Sequence, residues 1–134
     1  MLMCPACRKE PLAVLEYEDV EVDYCATCKG IWLDAGELEL LFGDAAACAA
    51  FLTIGSETAR PKGERARRCP ICDRRMRKET TEGGSPVCFD HCVAGHGLWL
   101  DRGELVTILA HADALGGDHL VSAHLRRVFM KPDN

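Results

Sequence analysis

Long apolar runs are missing from this chain. No stretch of about 18 apolar residues occurs among the 134, so no membrane-spanning helix is expected. Aromatic residues are scarce at 6%, and none lies between Ser56 and Lys78, which removes base-stacking platforms from the most basic segment. There is no phosphate-cradling glycine loop and no paired nucleophile and base, so nothing supports catalysis and a non-enzyme is expected. Met1-Leu2-Met3-Cys4-Pro5 carries neither a basic start nor an apolar leader, and the expected location is the cytoplasm. What the chain has in abundance is cysteine, with nine in all. In a reducing compartment, paired cysteines bind metal more often than they form disulfides.

The cysteines belong to a duplication. Gly30-Ile-Trp-Leu-Asp-Ala-Gly-Glu-Leu38 returns as Gly97-Leu-Trp-Leu-Asp-Arg-Gly-Glu-Leu105, identical at seven of nine positions. Each copy follows its own cysteine cluster, and each cluster opens with Cys-Pro-x-Cys. Self-similarity of this kind marks a repeated structural unit. Cys4, Cys7, Cys25 and Cys28 form two Cys-x2-Cys pairs with 17 residues between them, the spacing of a four-cysteine zinc site. Each pair folds as a tight knuckle that aims two sulfurs at one point. A redox Cys-x2-Cys would instead come singly, beside a helix.

The second cluster differs. Cys69 and Cys72 repeat the first knuckle, and Cys92 aligns with Cys25, but Gly95 stands where Cys28 would be. His96 follows one position later, and its longer side chain can recover the missing corner as a Cys3His site. Cys88 and His91 compete for that place. They align with Glu21 and Tyr24, strand positions rather than knuckle positions, so the repeat favours His96. Four protein ligands leave no coordination position for water or substrate, and both sites read as structural. Two zinc ions per chain are expected.

Leu12–Glu18 and Val20–Tyr24 alternate apolar and polar residues and read as a hairpin. Asp34 and Asp101 precede Glu37 and Glu104 by three residues, the spacing of a capping box at a helix start. Leu38, Leu41 and Phe42 follow at helical spacing, as do Leu105, Ile108 and Leu109. Trp32 and Trp99 are each expected to pack their own knuckle against their own helix, and Gly30 to relax the backbone past the second knuckle. Residues 44–52 are Ala-rich and helical, 56–68 read as a linker, and Asp118 caps a final amphipathic helix.

Formal charge is −5 but uneven: −7 over residues 1–55, +6 over 56–78 and −4 over 79–134. Arg60, Lys62, Arg65, Arg67, Arg68, Arg74, Arg75, Arg77 and Lys78 make up the basic segment. They form either a nucleic-acid patch or a solvated linker that pairs with the chain's own carboxylates.

Together, Cys-Pro-x-Cys, Val22-Asp-Tyr-Cys25 and Cys28-x-Gly-Ile-Trp-Leu-Asp-x-Gly-Glu-Leu38 resemble the bacterial zinc ribbons classed as transcription-factor-IIB-like. The resemblance is close over residues 4–42 and looser over 69–109. It implies a β-hairpin zinc ribbon followed by a short helix, with ligands at Cys4, Cys7, Cys25 and Cys28, then Cys69, Cys72 and Cys92. His96 departs from that family's four-cysteine pattern. Transcription-factor likeness in a ribbon does not establish transcriptional activity.

The fold class expected is a small α+β metal-binding protein made of two tandem zinc ribbons, each a β-hairpin plus short helix, with additional C-terminal helices. The first ribbon spans 1–43, an Ala-rich helix and basic linker 44–68, the second ribbon 69–110 and a C-terminal amphipathic helix 111–134. The function expected is a zinc adaptor for a protein partner, with transcription-related nucleic-acid binding through residues 60–78 as the alternative. Zinc storage or sensing and zinc-dependent catalysis rank lower. No membrane partner is expected, and self-association is left open.

Overall fold

A computed structural model describes residues 2–17, 20–43, 45–81, 86–104, 107, 108 and 110. Leu105 and Leu109 of the second ribbon's expected helix, and the C-terminal helix expected over 111–134 with its cap Asp118, lie outside them. The elements run β1 (Ala13–Tyr17), β2 (Val20–Tyr24), β3 (Ile31–Asp34), α1 (Ala35–Phe42), α2 (Ala45–Ile54), β4 (Gly55–Glu57), β5 (Arg77–Thr81), β6 (Cys88–His91) and β7 (Gly97–Leu100). Among the described residues no helix is long and apolar enough to cross a membrane.

Two tandem ribbons are present, but not as separate beads. All seven strands form one antiparallel sheet in the order β1-β2-β3-β7-β6-β5-β4. Each copy adds a third strand to its hairpin, and that strand is the repeated Ile/Leu-Trp-Leu core of the motif. The copies join where the motif meets itself: Ile31 faces Leu100, Trp32 faces Trp99 and Leu33 faces Leu98. Strand residues point to alternate faces, so a duplicated strand paired antiparallel puts like side chains together.

That alternation sorts the interior in two. Ile31, Leu33, Leu98 and Leu100 point to one face, where they meet Leu38, Leu41 and Phe42 of α1 and Cys48 and Phe51 of α2. Burying each of these large side chains contributes about 1.5–3 kcal/mol. Trp32 and Trp99 point to the other face and pack with Cys4, Cys25, Cys69, Cys92, Leu12 and Met76. Helices cover one side of the sheet, and the knuckles cover the other.

The tryptophans cross between copies rather than serving their own knuckles alone. A Cβ on Gly30 would stand 2.1 Å from the benzo ring of Trp99, and one on Gly97 would stand 2.9 Å from that of Trp32. The motif's glycine is thus the seat for the partner copy's indole. Backbone freedom is not why Gly30 is there, since the positive φ falls on Lys29 at 65°.

The capping-box expectation also changes. Asp34 occupies the N-cap position of α1, but its side chain makes no cap bond. It accepts the Trp32 indole N–H at 2.7 Å, and Asp101 does the same for Trp99 at 3.0 Å. Glu37 accepts the backbone N–H of Glu21 at 2.7 Å, and Glu104 that of Cys88 at 3.2 Å. Pairing of β2 with β3 is recorded only at Asp23 and Tyr24, and of β6 with β7 only at Asp90 and His91. Each glutamate therefore takes up a strand N–H just beyond the pairing, where the polar group would otherwise lack a partner.

Candidate metal centres

The backbone builds each knuckle by folding the chain onto its first cysteine. Arg8 N–H donates to the Cys4 carbonyl, Lys29 N–H to that of Cys25 and Asp73 N–H to that of Cys69, at 2.8–2.9 Å. Arg8, Lys29 and Asp73 have positive φ of 67°, 65° and 62°. Left-handed backbone costs a non-glycine residue about 1 kcal/mol or more, offset here by the closed turn. The fourth knuckle is tighter by one residue. Gly95 N–H donates to the Cys92 carbonyl at 2.9 Å, and Gly95 itself takes the positive φ of 82°. Closing the turn one residue early brings the next residue, His96, round to the corner that Cys28 fills in the first copy.

The two ligand sets are Cys4, Cys7, Cys25, Cys28 and Cys69, Cys72, Cys92, His96, and within each set all the ligand atoms lie within 4.8 Å of one another. Sγ of Cys4 and Cys28 are 3.7 Å apart, Cys7 and Cys25 3.8 Å, and Cys72 and Cys92 3.7 Å. A tetrahedron with metal–sulfur bonds of about 2.3 Å separates its sulfurs by about 3.8 Å. His96 presents Nδ1 to Cys92 at 3.4 Å and to Cys69 at 3.9 Å, on either side of the roughly 3.6 Å that a mixed sulfur–nitrogen tetrahedron requires. Both sets fit zinc, and no cysteine among them is in a disulfide.

The electrostatics of the thiols agree. Burial pushes the Cys4 thiol well up, Cys7 to about 11 and Cys69 to about 12. Burial also opposes ionisation of Cys25 and Cys92, yet backbone N–H groups aimed at their sulfurs prevail and lower both, Cys92 to about 6. Thiolates this close repel one another, and a divalent cation relieves that conflict.

Cys88 and His91 stand outside both sets. His91 Nδ1 lies 3.1 Å from Glu79 Oε1, and Cys88 lies along β6 with its N–H on Glu104. Cys48 is a buried member of the helical face. Glu64, Asp90 and Asp101 also converge, but the Lys78 ammonium lies among them at 2.8, 3.4 and 3.6 Å. A lysine stands where a cation would.

Much of the basic segment is used internally, and it is not a loose linker. After β4, residues 58–67 cross the second ribbon: Thr58 N–H donates to the Lys78 carbonyl and Met76 N–H to that of Arg67. Arg60 approaches Asp90 Oδ1 at 2.8 Å, off the line of a hydrogen bond, and pairs with Glu64 at 2.7 Å. Arg67 reaches Asp101 at 3.2 Å. The Glu64 carboxyl is lowered, since Lys78 and Arg60 outweigh its burial. Arg77 pairs with Glu79 and Glu57 at the surface. Lys62, Arg65, Arg68, Arg74 and Arg75 form no ion pair with the described residues.

Among the described residues, the first copy has no such cover. Asp23 corresponds to Asp90, each facing its copy's tryptophan across the sheet. Asp23 is 9% exposed, and its side chain makes no hydrogen bond or ion pair with the described residues. Burial, with Asp34, Glu21 and Glu37 nearby, pushes its carboxyl up to about 6. Asp23 and Asp90 each stand two residues before a ligand cysteine, and the cations over Asp90 are what set them apart.

Fold and ligand sets together define a duplicated zinc ribbon whose copies share one sheet. Residues 3–42 and 68–111 each match the transcription factor zinc-finger family, and the chain belongs to that family. No curated protein and no solved structure matches it.

Proposed function

We propose that this protein is a non-catalytic adaptor that holds two structural zinc ions and binds a protein partner. The observation that carries the reading is the closure of both ligand sets. Four buried or half-buried donors converge in each, with no position left for water or substrate. Zinc there would lock the knuckles that hold Trp32 and Trp99, so its chemistry is to fix shape. Loss of metal would leave buried thiols inside the tryptophan cluster, which speaks against a reversible store or sensor. With both sites filled, net charge moves from −5 to about −8, a surface suited to a cationic partner.

Nucleic-acid binding is the second reading, and five cations that form no ion pair among the described residues favour it: Lys62, Arg65, Arg68, Arg74 and Arg75. Four of the nine basic side chains, Arg60, Arg67, Arg77 and Lys78, are already in ion pairs. Affinity capture with the zinc-loaded protein separates the two. The adaptor reading expects a stoichiometric protein that survives nuclease treatment and reconstitutes from purified parts. A partner released by nuclease, with an oligonucleotide gel shift that weakens steeply with salt, would replace it.

A further inference from the structure

The duplication places the same surface on both ribbons, and the chain itself shows what that surface accepts. On the second ribbon, β4 pairs with the outer edge of β5, and the chain then continues across the face bearing Asp90 and Asp101. On the first ribbon the corresponding edge, β1, ends the sheet among the described residues. Register fixes the correspondence: Val14 faces Asp23 as Lys78 faces Asp90. Val14 is 60% exposed where Lys78 is 6%. The Val14 carbonyl corresponds to the Lys78 carbonyl that accepts from Thr58. Asp23 points to this open face, more than nine-tenths buried, with no cation among the described residues.

We propose that the β1 edge and the Asp23–Asp34 face of the first ribbon bind an extended basic segment of a partner protein, in the way residues 55–67 cover the second ribbon. Main-chain hydrogen bonds to a free edge give such a segment affinity, and side chains reaching the face give it specificity. The partner's chemistry follows from the one exchange between copies. Glu64 lies over the second ribbon to pair with Lys78. Val14 replaces Lys78, so the partner carries an apolar residue in place of Glu64. It keeps two cations, in the places of Arg60 and Arg67, for Asp23 and Asp34. Asp101 Oδ1 accepts from both the Trp99 indole and Arg67, so Asp34 Oδ1, which holds the Trp32 indole, corresponds to the atom that meets a cation on the second ribbon.

This inference rests on the adaptor reading and names its surface. The test uses the full zinc-loaded protein and a fluorescent synthetic peptide of residues 55–67 carrying Glu64→Leu, followed by anisotropy at low ionic strength. Saturable binding is expected, weakened at least about tenfold by Asp23→Asn, which removes one charge pair. Val14→Pro should weaken it similarly, because the proline ring would stand on the outward edge where the segment pairs, at a position where an edge strand tolerates proline. Retention of two zinc ions in each variant shows that the fold survives. Absence of saturable binding, or binding indifferent to both substitutions, overturns the proposal. A captured partner that also ignores both substitutions would leave the adaptor reading standing and this surface refuted.

Discussion

Gly30→Ala tests the interlock between copies. The added Cβ would lie 2.1 and 2.5 Å from two atoms of the Trp99 benzo ring, against a normal carbon contact of about 3.5–4.0 Å. Trp99 is 0% exposed and tied to Asp101 through its indole N–H, so the ring cannot swing aside freely. Overpacking of this severity costs about 3 kcal/mol, the upper end of its usual range. If the glycine served only backbone freedom, alanine at a position without positive φ would be neutral or stabilising by about 0.4–1 kcal/mol. The two accounts differ in sign. Denaturation of the zinc-loaded protein should show the loss, and it should shrink to under about 1 kcal/mol in a Trp99→Phe background, where the clashing ring is gone. Gly97→Ala should find no such relief from Trp32→Phe, because its Cβ also meets the Leu33 carbonyl oxygen at 2.2 Å. A Gly30→Ala protein as stable as wild type, or a loss unchanged by Trp99→Phe, would refute the interlock.

Three further outcomes are expected. His96→Ala should weaken zinc at the second site by more than about 100-fold in chelator competition, beyond what loss of an outer-shell partner costs, while His96→Cys, Cys88→Ala and His91→Ala retain it. Lys78→Met should destabilise the protein by about 2–4 kcal/mol in denaturation, since Asp90 is 0% exposed and would keep only Arg60. Asp23→Asn should stabilise it at pH 7. A carboxyl held near 6 against 3.8 costs the fold at most about 3 kcal/mol once ionised, and residual access to water brings the expected gain to about 1–2 kcal/mol. The sign follows from the raised value: the folded state binds the proton more tightly, so this penalty is absent below pH 3.8, grows as pH rises from there to about 6 and is complete above it.

Much of this molecule was legible in its sequence because local chemistry determines it. Cysteine spacing located the knuckles, alternation located β1 and β2, and the offset between copies pointed to His96 over Cys88 and His91. The sharing of one sheet was not legible. Four residues, Ile31–Asp34, are too short to show a period, and their partner, Gly97–Leu100, lies more than sixty residues away. The same contact reassigns Gly30 and turns Asp34 and Asp101 from caps into indole acceptors. Asp-x-x-Glu at a helix start fits a capping box as well as it fits this tie to a strand, and only tertiary structure separates them. The basic segment, 56–78, presented two readings of one composition. Which cations are free depends on carboxylates contributed by β6 and the second motif.

Native mass spectrometry of the purified protein tests the central claim most directly. Two closed ligand sets predict two zinc ions per chain. A chain that holds one zinc ion or none while folded would contradict the account.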